Sequence, residues 1–406
     1  MNGFPAVSRW LLAAILTLIV TGPLVAADLE EARLAAISKR MQQFVEAGEL
    51  AGAVTVVGTS RGVAHLEAVG YRCLNPAAPM QRDTLFRIAS MTKPITAVGI
   101  QILAQEGKLA VTDPVEKYLP EFRGQMVISE RGKNRLVLVP PARPITLRDL
   151  LTHTSGLAAY PPGLADLYQK RHYSLAEATL AVSQRPLEYE PGSRWSYNNP
   201  GIDTLGRIIE VVSGTSYEDF LTQRIFKPLG MKDTTVRPDS TQQQRIAEIY
   251  ARQNGKLVPE KSLLIGAPER SRHPIPAGGL YSTGPDMARF YRMMLSGGSL
   301  DGQRILSPQS VAEMTRVHTG DLKCGFTPGM GFGYGFAVVR QPEGITARLS
   351  PGTFGHGGAF GTQSWADPKR DLFVILLIAR TGIKNGDASE YRAELQRLAL
   401  DAVKGK

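Results

Sequence analysis

The chain has few of the residues on which metal and disulfide chemistry depend. Its 406 residues include six histidines and two cysteines, Cys73 and Cys324. The histidines are dispersed, and neither an H-E-x-x-H motif nor a paired-cysteine spacing occurs. We therefore expect no metal site and no cofactor. The two cysteines are compatible with one disulfide bridge or with two free thiols, and the sequence alone does not decide between them.

Continuous runs of basic residues are also absent. The formal net charge is +10, but the lysines and arginines are scattered along the chain, so nucleic acid is not an expected partner. The hydrophobic share of 43% and the charged share of 21% are those of an ordinary globular protein. The length suits one large two-part domain or two domains, and no internal repeat is present.

One long apolar run occurs, at the N-terminus. Arg9 precedes Trp10–Val20, a Gly-Pro break follows, and Val25-Ala26-Ala27 offers a small-residue cleavage site. The run is shorter than the roughly 20 residues that span a bilayer, which favours a cleaved signal peptide over residues 1–27 rather than an uncleaved anchor. We therefore expect an exported protein, periplasmic or secreted, with no stable membrane span after cleavage.

Hydrophobic periodicity divides the remaining chain into three stretches. Residues 28–88 begin with a helical pattern and continue as a β-hairpin over 53–57 and 63–69. Residues 89–274 are mainly helical, with the clearest helices at 94–106, 147–153, 199–212 and 217–226. Residues 275–406 contain helices at 285–295 and 390–403 and strands at 334–340, 358–366 and 372–379.

The short connection between the last two strands predicts antiparallel pairing, because parallel neighbours need a long crossover. We therefore predict an α/β (α+β) fold. An antiparallel sheet flanked by helices is built from residues 28–88 and 275–406, and a mainly helical subdomain, residues 89–274, is inserted between these two segments.

A serine followed three residues later by a lysine opens one of the predicted helices. Ser90 and Lys93 share a face at this spacing, so the lysine amine can reach the serine hydroxyl. A serine needs a base to become a nucleophile, and a desolvated lysine can serve as one. The motif alone is weak evidence, since a serine that caps a helix before a surface lysine is common.

Two further motifs accompany this pair. Tyr197 stands in a loop before a helix, where its phenol could shuttle a proton to Ser90, and Asn199 could bind substrate or Lys93. Asn199 followed by Pro200 is also typical of a helix N-cap.

Near the C-terminus, His356-Gly357-Gly358-Ala359 leads into a predicted strand. Glycines in a strand mark the close approach of a ligand or of another backbone, so His356, Gly357 and Gly358 are candidate substrate-binding residues. The N–H groups of Ser90 and Ala359 are candidates for an oxyanion hole. A Gly-rich turn with a structural histidine is the alternative.

The order of these motifs resembles that of the serine β-lactamase and penicillin-binding-protein superfamily. In that superfamily S-x-x-K is followed by Y-x-N about a hundred residues later and by a basic-x-Gly strand near the end. Leu150–Leu157 and Pro276–Thr283 also resemble stretches of its class C β-lactamase-like branch, which includes family VIII carboxylesterases and DD-peptidase-like hydrolases. The resemblance covers nearly the whole chain after residue 27.

The resemblance implies a β-lactamase/transpeptidase-like fold and a role for each motif. Ser90 would be the nucleophile, and Lys93 and Tyr197 would share the general-base and general-acid work. Asn199 would be a polar contact, and the N–H groups of Ser90 and Ala359 would form the oxyanion hole. Many β-lactamases have Lys-Thr-Gly where this chain has His356-Gly357-Gly358. The loss of the lysine charge and threonine hydroxyl weakens recognition of a substrate carboxylate and favours esters as substrates.

A competing serine motif, Gly58-x-Ser60-x-Gly62, matches the nucleophile elbow of α/β-hydrolases but precedes a predicted strand instead of a helix. We therefore interpret it as a hairpin turn. Three functional hypotheses follow for the whole chain. It is a carboxylesterase with an acyl-enzyme at Ser90 and weak β-lactamase activity, a β-lactamase or DD-peptidase, or a non-catalytic protein that binds cell-wall peptides. The expected partner is a small ester, amide or β-lactam, and the sequence assigns no oligomeric state.

Overall fold

The computed structural model describes residues 28–164, 167–260 and 271–404. The predicted signal peptide, residues 1–27, lies outside this range. Within the described residues, eight strands form one antiparallel sheet in the order β12-β13-β14-β15-β16-β1-β2-β3. These strands are β1 (Gly52–Thr59), β2 (Gly62–Leu74), β3 (Ala77–Pro79), β12 (Met330–Phe332), β13 (Ala337–Val339), β14 (Phe354–Gly357), β15 (Gln363–Asp367) and β16 (Leu372–Leu377).

The shorter strands form two-stranded pairs. They are β4 (Phe86–Arg87) with β9 (Tyr281–Ser282), β5 (Val127–Arg131) with β6 (Leu136–Val139), β7 (Tyr250–Gln253) with β8 (Lys256–Pro259), and β10 (Ser299–Leu300) with β11 (Gln303–Arg304).

The helices, numbered in chain order, flank the sheet or fill the stretch between its two halves. They are α1 (Glu31–Glu46), α2 (Thr92–Gln105), α3 (Leu147–Leu151), α4 (Leu167–Lys170), α5 (Leu175–Ser183), α6 (Asn199–Ser213), α7 (Tyr217–Leu221), α8 (Lys227–Leu229), α9 (Ser240–Gln243), α10 (Gly284–Leu295), α11 (Pro308–Thr315) and α12 (Glu390–Asp401). The predicted fold class is therefore confirmed, since segments from both ends of the chain build one antiparallel sheet around a mainly helical insertion.

The centre of the sheet is buried on both faces. Every residue of β1 and β16 is buried, and alternate side chains of β16 belong to two different cores. Phe373 and Ile375 pack on the side of α10, whereas Val374 and Leu376 pack on the side of α1 and α12. The continuous apolar run of β16 is what a strand covered on both faces requires.

Helix α2, which follows Ser90, is buried over Thr92–Leu103. It contacts α6 and α7 of the helical stretch and β14 of the sheet. A helix that is covered on all sides has no polar face toward solvent. The mostly apolar sequence of α2 agrees with this burial. Its N-terminal end is thereby fixed between the two parts of the fold.

Two predicted strands are wrong in extent. The segment predicted as one strand over 358–366 is a turn followed by β15, because Gly361 has a φ of 82° and the Gly358 N–H donates to the Thr362 carbonyl at 2.7 Å. The segment 334–340 contributes only β13, because Gly335, with a φ of 72°, lies in the turn that joins it to β12.

Both cysteines are free thiols, so the alternative of a disulfide bridge is not realised. In the described ranges no helix is long and apolar enough to cross a membrane.

Candidate active site

Ser90 lies in a tight turn immediately before α2. The turn is a 3₁₀ segment over Ala89–Met91, in which Ala89 and Met91 are buried and Ser90 borders a cavity. Ala89 has a φ of 46°, in the left-handed region that L-residues rarely adopt. Such a conformation costs about 1–3 kcal/mol and persists only where packing enforces it. Here the packing comes from Ile249 and Phe360, which form a buried cluster with Ala89.

The amine of Lys93 contacts the Ser90 hydroxyl. Its Nζ donates to Ser90 Oγ at 3.0 Å and to the Ala277 carbonyl at 2.7 Å, and the side chain is 0% exposed. Burial lowers the pKa of Lys93 to about 7, and the negative charge of Asp203 opposes this shift. A substantial fraction of Lys93 is therefore neutral near pH 7 and able to accept a proton.

Asp203 supports this arrangement from helix α6, and the sequence analysis did not identify it. The carboxylate is fully buried and accepts from the Ala277 N–H at 2.8 Å and from the Tyr160 hydroxyl at 2.5 Å. It thereby fixes the backbone of Ala277, whose carbonyl accepts from Lys93 Nζ. No local pattern could have shown this, because Asp203 and Ala277 are 74 residues apart.

Tyr197 completes the group around the serine. It lines the same cavity as Ser90, whose side chain interacts with the phenol, and Lys93 Nζ lies 4.7 Å from the centre of its ring. Although the residue as a whole is half-buried, burial of the phenol raises the Tyr197 pKa well above its usual range. The phenol is therefore protonated across the physiological range and can donate a proton but not act as a phenolate base.

His153 holds the segment that carries Tyr197. It follows α3 with a φ of 59°, its Nδ1 accepts from the Asn198 N–H at 3.2 Å, and its ring lies 4.6 Å from that of Tyr197. Burial lowers the pKa of His153 well below its usual value, so the ring is neutral. His153 is thus a hydrogen-bonding residue at the end of a helix.

Asn199 is placed differently from the sequence interpretation. The N-cap of α6 is Asn198, whose Oδ1 accepts from the Gly201 N–H at 2.7 Å and whose Nδ2 donates to the Leu157 carbonyl at 2.7 Å. Asn199 is the first residue of the helix and does not line the cavity. Its Oδ1 is buried without a hydrogen-bond partner among the described residues. The structure therefore does not bring Asn199 to the cavity wall.

His356 lies at the end of β14, beside the serine turn. Its Nδ1 is 2.7 Å from the Gly357 carbonyl, so this nitrogen carries the proton and Nε2 is the acceptor. Burial lowers the pKa of His356 to about 4, and the ring is therefore neutral. The histidine does not replace the charge of a lysine at this position.

The two glycines after His356 allow close packing of protein against protein. A Cβ atom at Gly358 would clash with the Ile88 carbonyl, two residues before Ser90, and one at Gly357 would clash with the carboxylate of Asp387. The close approach that these glycines predicted is therefore that of other segments of the chain to the end of β14. Nor is β14 a fully open edge, because β15 pairs along it and the pairing with β13 ends at Gly355.

A cavity of about 390 Å³ joins these residues. Ser90 and Ala359, the two residues of the predicted oxyanion hole, both line it. Most of its wall comes from the end of β14 and the loop before α12. The lining residues are Ser90, Tyr197, Phe326, His356, Gly357, Gly358, Ala359, Gly361, Ile383, Lys384, Asn385, Gly386 and Asp387. The sequence analysis missed Phe326, Lys384 and Asp387, which stand in loops without a recognisable motif.

The competing serine, Ser60, lies in the turn between β1 and β2. Its N–H and Oγ donate to the two carboxylate oxygens of Asp371, at 2.9 and 2.8 Å. The hydroxyl is therefore a structural hydrogen-bond donor, as the hairpin interpretation predicted. In the part of the chain that the structure describes, no group of three or more His, Cys, Asp or Glu residues could hold a metal ion.

Comparison with known proteins gives consistent matches along the chain. A family model described as beta-lactamase matches residues 37–399. Protein Rv1367c of Mycobacterium tuberculosis is 35% identical over 362 residues, which cover 83% of this chain and 88% of the relative. Esterase EstB of Burkholderia gladioli is 30% identical over 378 residues, which cover 86% and 91%.

A solved structure, EstCE1, described as a hydrolase with promiscuous acyltransferase activity, aligns with a TM-score of 0.75 and 25% identity. The alignment covers 92% of this chain and 99% of EstCE1. The family match alone spans far more than half of the chain. The chain therefore belongs to the beta-lactamase family, within the β-lactamase/transpeptidase-like superfamily of serine hydrolases.

Proposed function

We propose that the protein is a carboxylesterase that hydrolyses short acyl esters through an acyl-enzyme on Ser90. The observation that carries this proposal is the position of the Ser90 hydroxyl, which accepts a hydrogen bond from a buried lysine amine and lies in one cavity with the Tyr197 phenol. Lys93 has a pKa near 7, which suits removal of the serine proton. Tyr197 has a pKa far above 7, which suits delivery of a proton to the leaving group.

In the proposed reaction, neutral Lys93 takes the proton of Ser90 as Oγ attacks the ester carbonyl carbon. The N–H groups of Ser90 and Ala359 stabilise the oxyanion that forms. Tyr197 donates its proton to the leaving alkoxide as the ester C–O bond breaks, and the proton on Lys93 restores the phenol. Water then attacks the acyl-enzyme and releases the acid, so that one ester and one water give one acid and one alcohol.

Esters are favoured over β-lactams by the wall that faces Ser90. Where many β-lactamases have Lys-Thr-Gly, this chain has a neutral His356, and the side chain that adjoins Gly357 is the carboxylate of Asp387. Such a wall recognises a substrate carboxylate poorly. A relative named as an esterase and a structural neighbour described as a hydrolase support the same choice. We propose β-lactam hydrolysis as a weak side activity only.

The test is turnover of a short-chain p-nitrophenyl ester, together with intact-mass measurement after incubation with the ester or with a penicillin. Wild type should hydrolyse the ester rapidly, and Ser90→Ala should lose both turnover and any covalent adduct. Ser60→Ala is the matched control, because it removes the other serine of a recognisable motif from a turn held by Asp371. It should remain active.

Each other result favours one of the alternatives. A stable penicillin adduct without ester turnover would indicate a penicillin-binding DD-peptidase. Rapid penicillin turnover with poor ester turnover would indicate a β-lactamase, and the ratio of the kcat/KM values decides between these activities. Neither turnover nor an adduct would indicate a non-catalytic protein that binds cell-wall peptides. Ester turnover that persists in Ser90→Ala would contradict the proposed nucleophile.

A further inference from the structure

One wall of the cavity carries two charged residues of opposite sign. The loop between β16 and α12 contributes residues 383–387 to the wall, among them Lys384 and Asp387. Lys384 is exposed, whereas Asp387 is half-buried. Bulk water and salt therefore screen the lysine charge more than the aspartate charge.

Hydrogen bonds hold Asp387 in place. Its Oδ1 accepts from Gln363 Nε2 at 2.9 Å, and the Gln363 Oε1 in turn accepts from Trp365 Nε1 at 2.9 Å. The Asp387 N–H donates to Asn385 Oδ1 at 3.0 Å, and its carbonyl accepts from Arg392 Nη1 at 2.7 Å. Both the backbone and the carboxylate of this residue are thus fixed before any substrate binds.

The carboxylate lies directly beside the strand end that faces Ser90. It occupies the place into which a side chain at position 357 would project, since a Cβ atom there would clash with Asp387 Oδ1. Its charge also acts on the residues around Ser90, since burial raises the pKa of Tyr197 and Asp387 adds to this shift, whereas burial lowers the pKa of His356 and Asp387 opposes that shift. A substrate group that lies along the end of β14 therefore meets a fixed negative charge.

The buried guanidinium of Arg392 does not cancel the negative charge of Asp387 at the cavity. Arg392 is 1% exposed, does not line the cavity, and its guanidinium stacks on the Trp365 ring at 3.8 Å. Its hydrogen bond goes to the Asp387 carbonyl and another to Gln396 Oε1 at 2.8 Å. Asp387 itself lines the cavity whereas Arg392 does not, so a substrate in the cavity is nearer to the negative charge than to this cation.

We propose that Asp387 is a specificity-determining residue that disfavours esters carrying a carboxylate and favours neutral and cationic esters. This inference rests on the proposed esterase function and names its substrate class. Repulsion of a wrong substrate by a fixed like charge is an efficient source of discrimination, because the substrate loses hydration without gaining a partner.

The experiment compares three aryl acetates of similar shape, which are phenyl acetate, 4-acetoxybenzoate and 4-acetoxyphenyltrimethylammonium. Asp387→Asn removes the charge and retains an acceptor for Gln363. The ratio of kcat/KM for the anionic ester to that for the neutral ester should rise about tenfold or more in this variant, and the cationic-to-neutral ratio should fall. The intrinsic reactivity of each ester cancels when a variant is compared with wild type.

Lys384→Met is the matched control, since it removes the other charge of the same loop. We expect it to change either ratio by less than about threefold, because the lysine is exposed. The inference is overturned if Asp387→Asn leaves the anionic-to-neutral ratio unchanged or lowers it. It is also overturned if Lys384→Met shifts the ratio more than Asp387→Asn does.

A binding measurement separates this inference from the proposed function. Phenylboronic acid and 4-carboxyphenylboronic acid form adducts with a reactive serine and require no turnover. Asp387→Asn should strengthen binding of the carboxylated compound about tenfold relative to the plain one. If Asp387→Asn binds the carboxylated compound more strongly but wild type does not hydrolyse the esters, the esterase proposal is overturned and the role of Asp387 is supported. Equal selectivity in wild type and variant, or no binding of either boronic acid, would overturn the role of Asp387.

Discussion

At the scale of single residues, the pKa of Lys93 decides how activity depends on pH. Burial with neutral partners, the Ser90 hydroxyl and the Ala277 carbonyl, lowers this pKa to about 7. Below that pH Lys93 is protonated and cannot accept the serine proton. We therefore expect kcat/KM for a neutral ester to rise with pH through a midpoint of about 7, measured from pH 5 to 9.

Substitution of Asp203 tests whether this midpoint belongs to Lys93. The negative charge of Asp203 raises the pKa of Lys93, so Asp203→Asn should move the midpoint to lower pH. A residue with a purely structural role would lower activity without moving the midpoint. A flat profile, or a midpoint that moves to higher pH in this variant, would contradict the assignment of Lys93 as the base.

The residues of the site differ in how far the sequence alone could reveal them. The contact of Ser90 with Lys93 is local, because residues three apart share one face at the start of α2, and the spacing predicted it. Asp203 and Asp387 reach the site only through packing between distant segments. An isolated acidic residue without a motif gives no signal that it will be buried beside a lysine or a serine.

At the scale of elements, the end of β14 must approach the serine turn closely. Gly358→Ala places a Cβ atom against the Ile88 carbonyl and the Thr362 hydroxyl, and overpacking of this kind costs about 1–3 kcal/mol. The clash separates the turn after β14, which carries Ala359, from the turn that carries Ser90. We expect a lower midpoint of thermal unfolding together with a lower kcat/KM.

Gly62→Ala provides the comparison for this variant. Gly62 also lies in a strand of the large sheet, but no heavy atom lies within 4 Å of a Cβ atom built there. Its effect on the free energy of unfolding should stay within about 0.5 kcal/mol, with unchanged kcat/KM. Equal behaviour of the two variants would show that the contact between β14 and the serine turn does not matter.

The elements that were predicted well are those whose pattern is set by burial. The alternation of β16 between two cores and the apolar face of α6 follow from which side chains are covered. The errors occur at 334–340 and 358–366, where Gly335 and Gly361, both with a positive φ, lie in turns within the predicted strands. A hydrophobic pattern does not indicate where the backbone turns. A glycine within such a pattern is compatible with a continuous strand and with a turn.

At the scale of the whole molecule, the site needs three distant stretches of the chain. Ser90 and Lys93 come from the start of the helical insertion, Tyr197 from a loop about a hundred residues later, and Ala359 and Asp387 from the C-terminal stretch. The pairing of β1 with β16 in the sheet joins the stretch that precedes Ser90 to the C-terminal stretch. The sequence predicted this arrangement because the order of the motifs resembles one superfamily, whereas composition and periodicity alone gave only the fold class.

The predicted signal peptide, residues 1–27, gives a prediction about the mature protein. The carbonyl of Asp28 accepts from the Lys404 N–H at 2.8 Å, and α1 begins at Glu31. Removal of residues 1–27 therefore leaves all of these contacts intact. We expect the protein expressed from the full sequence in a Gram-negative host to be recovered from the periplasm with Asp28 as its first residue, as measured by fractionation and intact mass.

A variant that interrupts the apolar run tests the cause of this processing. Ile15→Arg places a charge in the centre of the predicted signal, so the uncleaved chain should remain in the cytoplasm. A chain that starts at Asp28 is the control, and it should fold and hydrolyse the ester without being exported. Recovery of the uncleaved wild type in the membrane fraction would instead support the membrane-anchor alternative, because an apolar segment that is kept can hold the enzyme at the bilayer surface.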